Sequence, residues 1–423
     1  MECGAWGTLS EEVVSGDDLK KAEGAKVPAA SLIDLSQTKN SHLSRHKTNI
    51  GELDRVLGGG LVAGSLILLG GEPGIGKSTI VAQIADRLSA GKDRIIYVSG
   101  EESAGQVKGR LERLGCDLSK IGFVSETSTE KICSAIRQEK PLLAIIDSIQ
   151  TVSVADIDSE AGSLAQIRAS AAKFLEVAKK DGVAVLMIGH ITKDGQIAGP
   201  KSLEHIVDVV IYLEADAGGD YRILRAAKNR FGSVNELGVF EMTGQGLKEI
   251  KNPSLIFLDK ESDNIPGSVI SSIMEGTRPF LVNIQALVTK TVFGYPQRRA
   301  SGFDLNRLQV LCAVLTKKTK FNLTNQDVIV NVVGGLKADD PAMDLAVCQA
   351  IITSILNQSL DKKTIVLGEV GLGGEVRNVA RLEARLKEAA SLGFKSAIIP
   401  NTDVKIEGLE LKKMKNVSQL LDV

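Results

Sequence analysis

The sequence is poor in cysteine, and its few cysteines are not arranged to build a covalent or metal-bound framework. Five cysteines are scattered over 423 residues, and none belongs to a Cys-x-x-Cys pair. Disulfide scaffolds and structural zinc sites both depend on paired spacings, so the sequence supports neither. We interpret four of the five as buried, reduced thiols. These are Cys116, Cys133, Cys312 and Cys348.

An excess of charge of one sign is also absent. The 51 Lys and Arg residues nearly balance the 52 Asp and Glu residues, which leaves a formal net charge of -1 at pH 7. A strongly basic chain would point to nucleic acid, whereas this balance gives no such signal. Any surface that binds a polyanion must therefore be local. The hydrophobic fraction of 43% and the charged fraction of 24% are ordinary for a soluble globular protein.

Long apolar runs are missing as well. The N-terminal segment does not have the pattern of a signal peptide, and no apolar run is long enough to span a bilayer. We therefore expect a cytoplasmic protein without a membrane partner. The length of 423 residues is enough for two to three domains.

The order of predicted elements divides the chain into three parts. Residues 1–43 are polar and rich in small residues, which is typical of a tail or linker. Residues 44–252 alternate between strand and helix, a pattern that predicts an α/β fold with a mostly parallel sheet and helices on both faces. After Asn252-Pro253, residues 253–423 are predicted to form a second, α+β domain. Its predicted elements include helices over 305–316, 341–356 and 381–392 and strands over 364–370 and 396–399.

The segment Gly71–Thr79, GEPGIGKST, fits the phosphate-loop pattern G-x-x-x-x-G-K-[ST] between a predicted strand and a predicted helix. Its glycines let the backbone lie close to an anion, and successive N–H groups with the helix N-terminus form a cradle for phosphate. Lys77 can reach the β- and γ-phosphates, and Ser78 can ligate Mg²⁺. The residues predicted to bind the nucleotide are Gly71, Glu72, Pro73, Gly74, Ile75, Gly76, Lys77, Ser78 and Thr79.

Three more polar residues follow predicted strands, where ligands of open α/β sheets bind. Asp147 ends an apolar strand and is predicted to hold a Mg²⁺ water, although an Asp there can also cap a turn. Glu101 precedes Glu102 after another strand and is predicted to accept a proton from the attacking water; solvated carboxylates are the alternative. His190 ends a third strand, where it either senses the γ-phosphate or is a satisfied structural histidine.

Two basic segments complete the candidate site. The glycine-rich loop after His190 carries Lys193 and Lys201, which are candidates for contact with a phosphate backbone. The segment Lys228-Asn229-Arg230-Phe231-Gly232 places two cations around an amide at the end of a predicted strand. These cations suit phosphate contact within the same chain or an arginine-finger role in a neighbouring subunit. A basic hairpin turn is the structural alternative.

At this point the chain resembles the bacterial RadA (Sms) family of DNA-repair ATPases, relatives of RecA, over nearly its whole length. The segments that carry the resemblance are GEPGIGKST, YVSGEES (Tyr97–Ser103), IIDSIQT (Ile145–Thr151), IGHITKDGQIAGPKSLEH (Ile188–His205) and KNRFG (Lys228–Gly232). KNRFG is a hallmark of this family and is much more specific than a phosphate loop alone.

The resemblance implies a RecA-like core that forms a hexameric ring, hydrolyses ATP with Mg²⁺ and translocates on single-stranded DNA. The implied function is branch migration of recombination intermediates, with the RecA recombinase as partner. By resemblance, Glu101 matches the catalytic glutamate, His190 the position that senses the γ-phosphate, and Lys228 and Arg230 the two KNRFG cations. The loops after Asp147 and after His190 match the DNA-facing loops of RecA-like proteins.

The second domain resembles the proteolytic domain of Lon, in the form that the RadA family carries. Lon-type proteolysis uses a Ser in a D-G-P-S-A-G stretch and a Lys that follows G-G-L. The matching stretches are Asp339–Asp344, with Ala342 at the nucleophile, and Ala380–Glu383, with Glu383 in place of the lysine. Without an activated nucleophile covalent hydrolysis cannot proceed. We therefore expect an inactive scaffold for ring formation and DNA binding.

Two further expectations concern cations and zinc. Arg298, Arg299 and Arg307 are predicted to form a local cationic group that faces DNA, with salt bridges as the alternative. The family begins with a four-cysteine zinc finger, of which only Cys3 has a counterpart in this sequence. One thiolate cannot close a tetrahedral site, so we do not expect zinc in this chain. Either the sequence is truncated at its start or the lineage has lost the finger.

The sequence therefore predicts a DNA-dependent ATPase of recombinational DNA repair, with two alternatives. The first is an ATP-dependent protease of Lon type, which Ala342 and Glu383 oppose. The second is a regulatory switch of the KaiC type, in which ATP sets assembly and no DNA strand moves.

Overall fold

The computed structural model describes residues 44–89, 94–190, 203–215, 220–250, 252, 254, 265–292, 294–333 and 339–422. The predictions for the tail of residues 1–43, including Cys3, and those for Lys193 and Lys201 lie outside these described residues.

The N-terminal half contains strands and helices in alternation. Its strands are β1 (Arg45–His46), β2 (Leu61–Val62), β3 (Leu66–Gly71), β4 (Ile95–Ser99), β5 (Ile121–Ser125), β6 (Leu143–Asp147), β7 (Ala184–His190), β8 (Val209–Ala215), β9 (Tyr221–Asn229), β10 (Leu237–Thr243) and β11 (Gly246–Glu249). Its helices are α1 (Gly51–Val56), α2 (Lys77–Ser89), α3 (Ala104–Arg113), α4 (Thr129–Glu139) and α5 (Leu164–Asp181).

Within the described residues, β3 to β11 form one nine-stranded sheet in the order β11-β10-β9-β8-β3-β7-β6-β4-β5. Strands β3 to β8 pair with one another in parallel, whereas the pairs β8–β9, β9–β10 and β10–β11 are antiparallel. Every residue of β3 and β6 is buried, as expected for apolar central strands that are covered on both faces. The predicted α/β class with a mostly parallel sheet is confirmed.

The two faces of this sheet bury separate apolar clusters. Ile67 and Leu69 of β3 pack in one cluster with Ile80 of α2, whereas Leu66 and Leu68 pack in the other, which includes residues of α4 and α5. This division follows from the alternation of side chains along a strand. Helices therefore cover both faces, and the carboxyl ends of the parallel strands meet at one edge.

The C-terminal half has a second, mixed sheet. Its strands are β12 (Ser268–Glu275), β13 (Arg278–Lys290), β14 (Arg298–Ser301), β15 (Gln326–Val332), β16 (Thr364–Val366), β17 (Glu369–Val370), β18 (Val376–Arg377), β19 (Ser396–Pro400) and β20 (Glu410–Met414). Its helices are α6 (Leu305–Lys318), α7 (Asp344–Leu356) and α8 (Leu382–Ser391). Seven of the described strands pair in the order β14-β15-β13-β12-β16-β19-β20, and β17 pairs with β18 separately.

Some predicted boundaries are corrected by the structure. The helix predicted over 341–356 is divided into a 3₁₀ turn, Pro341–Met343, and α7, because the Asp340 carboxylate accepts the N–H of Ala342 and caps the turn. The strand predicted over 364–370 is two short strands, β16 and β17, which belong to different sheets.

The two halves are joined by the tight turn between β12 and β13. Arg278 donates to the buried carboxylate of Glu52, with a shortest N–O distance of 3.0 Å. Glu275 pairs with Arg225 at 2.9 Å, and the N–H of Thr277 donates to a backbone carbonyl at 3.0 Å. Charged and backbone contacts thus fix this turn against β9 and α1. None of the helices among the described residues is long and apolar enough to cross a membrane.

Candidate active site

The phosphate loop connects β3 to α2, as predicted. Gly76 has φ +114°, and a Cβ there would lie 2.7 Å from the methyl carbon of Met242. A Cβ on Gly71 would lie 2.7 Å from the carbonyl oxygen of Leu213. Both positions therefore require glycine. A Cβ on Gly74, in contrast, would meet no atom within 4 Å, so the outer side of the loop is open.

Lys77 is the first residue of α2, and its ammonium group lies inside the loop. The residue is 3% exposed, and Nζ donates to the carbonyl oxygens of Gly71 and Glu72, each at 2.8 Å. Burial lowers the pKa of Lys77, and the charges of Asp147 and Glu101 act in the opposite direction. A buried ammonium that bonds to two neutral carbonyls is well suited to an incoming anion.

Two carboxylates lie at the same edge. Asp147 ends β6, is 7% exposed and accepts a hydrogen bond from the hydroxyl of Tyr97 at 2.5 Å. Glu101 follows β4, and its Oε1 accepts a hydrogen bond from the hydroxyl of Ser148 at 2.9 Å. Since Ser99 pairs with Asp147 in register, the two carboxylates extend from adjacent parallel strands.

His190 ends β7 and is paired in register with Gly71 of the phosphate loop. Burial lowers the pKa of His190, and the charge of Lys77 adds to this effect, whereas Glu101 and Asp147 oppose it. Lys77 and the three residues that were predicted to follow strands, Glu101, Asp147 and His190, are therefore electrostatic neighbours. Nδ1 of His190 is buried and has no hydrogen-bond partner within the described part of the chain.

Lys228 and Arg230 occupy the opposite edge of the sheet. Strand β9 is antiparallel to β8, and Lys228 pairs with Val210 near the amino end of β8. The phosphate loop pairs with Leu213, farther toward the carboxyl end of β8. Contact of the KNRFG cations with the phosphate loop of their own chain, which was one of two predicted roles, is therefore wrong. The sequence pattern could not reveal this, because the reversal of β9 depends on long-range pairing.

Contacts within the chain hold the KNRFG segment at this edge. Nζ of Lys228 donates to the carbonyl oxygens of Glu204 and Val207, and Arg230 pairs with the buried Asp208 at 3.3 Å. The side chain of Arg230 remains 54% exposed. Burial, followed by the charge of Arg230, lowers the pKa of Lys228. The segment is thus rigid at its base and presents one guanidinium toward solvent.

Comparisons with known proteins agree with this geometry. A family model described as AAA domain matches residues 34–196, and one described as subunit ChlI of Mg-chelatase matches residues 305–403. The DNA repair protein RadA of Bacillus subtilis is 46% identical over 99% of this chain and 93% of its own length. The chain belongs to the RadA family of DNA repair proteins. RadA of Halalkalibacterium halodurans is 48% identical over 95% of this chain and 88% of its own length, and RadA of Escherichia coli is 44% identical over 100% and 93%.

The second sheet of this RadA-family chain contains the predicted remnant of a protease site. Ala342 is fully buried, and Glu383 is 61% exposed and pairs with Lys387 at 2.6 Å. Arg385, two residues later in α8, is buried and pairs with Asp340 at 2.6 Å. An ion pair therefore lies beside Ala342, the position that the sequence analysis matched to the nucleophile of Lon-type enzymes.

The three arginines that were predicted to form one cationic group differ in their contacts within the chain. The guanidinium of Arg298 donates to the backbone carbonyls of Gln297, Leu323 and Gln326. Arg307 forms a bidentate pair with the buried carboxylate of Asp344. Both guanidinium groups thus have acceptors within the chain, and their contact with DNA stays a prediction. Arg299 is exposed, and its role stays a prediction.

Four residues of the site were missed by sequence reasoning. Tyr97 and Arg110 extend the contacts of Asp147, and Ser148 orients Glu101. Gln150 lies 3.5 Å from the carbonyl oxygen of His190, and its Oε1 is buried without a partner among the described residues. Tyr97, Ser148 and Gln150 lie in the segments YVSGEES and IIDSIQT, which was the available signal.

Proposed function

We propose that the protein is a DNA-dependent ATPase of recombinational DNA repair, which binds single-stranded DNA and uses ATP hydrolysis to drive branch migration of recombination intermediates. The observation that carries the proposal is the convergence of Lys77, Glu101, Asp147 and His190 at the phosphate-loop edge of the sheet. The names of the relatives, which are DNA repair proteins, support the biological setting.

The residues at this edge fit ATP and Mg²⁺. Lys77 would hold the phosphate oxygens, because its buried ammonium bonds to two neutral carbonyls and the loop is open at Gly74. Ser78 would ligate the metal, and Asp147 would hold a water on it. When bound, Mg²⁺ neutralises charge that develops on the transferred phosphoryl group.

Glu101 is the residue to which we assign proton transfer. The hydroxyl of Ser148 fixes Oε1, so we assign Oε2 as the atom that accepts the proton of the attacking water. Burial lowers the pKa of His190, which favours the neutral imidazole, and a neutral imidazole has one donor and one acceptor nitrogen. We assign His190 to sensing the γ-phosphate through this hydrogen-bonding capacity.

Lys228 and Arg230 would complete the site of a neighbouring subunit in a hexameric ring. Their position at the edge opposite the phosphate loop supports this assignment, since one edge of a subunit can face the other edge of the next. The exposed guanidinium of Arg230 is the group that would reach across. Lys193, Lys201, Arg298 and Arg299 remain proposed DNA contacts, and the RecA recombinase remains a proposed partner.

The test is ATP turnover of the purified protein with and without single-stranded DNA, over a range of salt concentrations, together with sizing in the presence of nucleotide. We expect DNA to raise turnover, less so at high salt, and nucleotide to favour a ring. Movement of synthetic junctions should require ATP. Turnover that is indifferent to DNA at every salt concentration, with no junction movement, would contradict the proposal and favour an ATP-driven switch.

A further inference from the structure

A series of hydrogen bonds runs inward from the surface and ends on the carboxylate of Asp147. The hydroxyl of Tyr97 donates to Oδ2 of Asp147 at 2.5 Å, and Arg110 donates to the tyrosine oxygen at 2.9 Å. Glu102 pairs with Arg110 on the outer side at 2.6 Å. We refer to Tyr97, Arg110 and Glu102 as the carboxylate support. Tyr97 is fully buried, and the side chain of Arg110 is 15% exposed.

The local fold brings these residues together. Strands β4 and β6 are adjacent, with Tyr97 opposite Ile145 and Ser99 opposite Asp147, so Tyr97 and Asp147 are diagonal neighbours across the two strands. Helix α3 follows β4 and begins at a capping box formed by Ser103. It carries Arg110 back over the end of β4, where its guanidinium lies 6.0 Å from the centre of the Tyr97 ring.

The direction of the hydrogen bonds is determined by chemistry. A guanidinium has donors and no acceptor, so Arg110 can only donate to the tyrosine oxygen. The single proton of Tyr97 is then directed at Asp147. A phenol has an ordinary pKa of about 10 and keeps its proton at neutral pH, so the hydroxyl remains a donor. Oδ2 of Asp147 is thereby fixed, which leaves Oδ1 for other ligands.

The hydroxyl of Tyr97, and not the guanidinium of Arg110, makes the hydrogen bond to the carboxylate of Asp147. Nη2 of Arg110 lies 3.8 Å from Oδ2 of Asp147, which is beyond hydrogen-bonding distance. A guanidinium bonded directly to Asp147 would compensate the negative charge that a divalent cation requires. The neutral hydroxyl of Tyr97 fixes the orientation of the carboxylate, and the guanidinium stays outside hydrogen-bonding distance in a longer ion pair.

We propose that Tyr97 and Arg110 are positioning residues, which hold the carboxylate of Asp147 in the orientation that binds the magnesium of a bound nucleotide. The inference rests on the proposed function only as far as binding of ATP with Mg²⁺; it does not require DNA. The competing explanation is a buried polar cluster that stabilises the fold and has no effect on the metal. Partners in the outer shell of a metal site commonly contribute a 10–100-fold factor in metal affinity.

The experiment measures binding of a fluorescent ATP analogue, mant-ATP, to the full chain as Mg²⁺ is titrated, without DNA. We expect Tyr97→Phe to raise the Mg²⁺ concentration for half-maximal binding about 10-fold and to leave binding in EDTA unchanged. Tyr212→Phe is the matched control, because it removes a partly buried hydroxyl that lies 3.5 Å from Glu204. This control should leave the Mg²⁺ dependence at the wild-type value.

Arg110→Met is the second variant, because it removes the donor that directs the proton of Tyr97 toward Asp147. It also changes a side chain that lies nearer the surface than Tyr97. We expect it to shift the Mg²⁺ dependence in the same direction by a smaller factor. If Tyr97→Phe lowers the melting temperature but both variants keep the wild-type Mg²⁺ dependence, the support is structural and the proposal fails. ATP turnover that ignores DNA would contradict the proposed function and leave this binding result standing.

Discussion

Polar and charged side chains lie beside both sheets of this molecule, but their hydrogen-bond and ion-pair partners differ. At the phosphate-loop edge, Lys77 bonds to neutral carbonyls, and Nδ1 of His190 is buried without a partner among the described residues. At the corresponding region of the second sheet, Arg307 pairs with Asp344 and Arg385 pairs with Asp340. Polar groups thus form an incomplete site in the first region, whereas these arginines and aspartates form ion pairs in the second.

This difference distinguishes a region that is completed by a ligand from a region whose charged groups stabilise the fold. Buried polar groups are normally satisfied, so those that lack partners at the first edge indicate where a ligand completes the bonding. In the second sheet the carboxylates are already paired, and a cleft of about 610 Å³ beside them is lined by Arg307, Asp340 and Asp344 among others. This cleft is therefore a poorer candidate for catalysis than the phosphate-loop edge, because Ala342 offers no nucleophile and two of the cleft's carboxylates are held by arginines.

The largest expected effect is the loss of stability when one member of an ion pair in the second region is removed. We expect Arg385→Ala to lower the free energy of unfolding by about 3–5 kcal/mol, because it leaves the carboxylate of Asp340 without its cation. Denaturant unfolding measures the loss. Arg377→Ala is the control, because its partner Glu375 is exposed, and it should leave the midpoint near the wild-type value. Equal losses in both variants would contradict the comparison.

In the first region, the substitution with the most direct effect on ATP turnover is at Lys77. We expect Lys77→Ala to lower ATP turnover about 100-fold or more, equivalent to roughly 2.7 kcal/mol, with little change in unfolding. The reason is that the ammonium is buried against carbonyls and is the group assigned to the phosphates. Turnover measured with and without DNA tests this, and Lys131→Ala removes an exposed lysine as the control. Turnover of Lys77→Ala within a factor of a few of wild type would exclude the assigned role.

The part of this comparison that the sequence could predict is the part set by local patterns. Strand, glycine loop and helix at Gly71–Thr79 are consecutive, and Asp147 and His190 end apolar strands, so their common edge follows from parallel pairing. Their chemical roles remain proposals. The position of Lys228 could not be predicted, because β9 reverses direction through pairing with β8. The partner of Arg307 lies 37 residues later, beyond any local pattern.

The pH dependence of the free energy of unfolding tests the environment of His190 in the first region. Burial and Lys77 lower the pKa of His190 in the folded state, so the unfolded chain binds this proton more readily. The contribution of His190 to stability is therefore complete above its unfolded pKa of about 6.5 and decreases as the pH falls through the folded value. We expect His190→Gln to flatten the loss of unfolding free energy between pH 7.5 and 5.5 by at most about 1.4 kcal/mol per pH unit. His205→Gln, which changes an exposed histidine, is the control, and an equal flattening there would contradict the assignment.

The smallest expected effect is in the remnant of the protease site. Ala342→Ser combined with Glu383→Lys restores both residue types, yet we expect no degradation of fluorescent casein above the wild-type background. Ala342 is fully buried, Glu383 is 61% exposed and turned toward Lys387, and the Asp340–Arg385 pair lies beside the serine position. A lysine activates a serine only within hydrogen-bonding reach, which this arrangement does not provide. Casein cleavage that requires the new serine would show that the second sheet keeps a catalytic geometry. The lack of catalysis in the second region would then be due only to the side chains at positions 342 and 383.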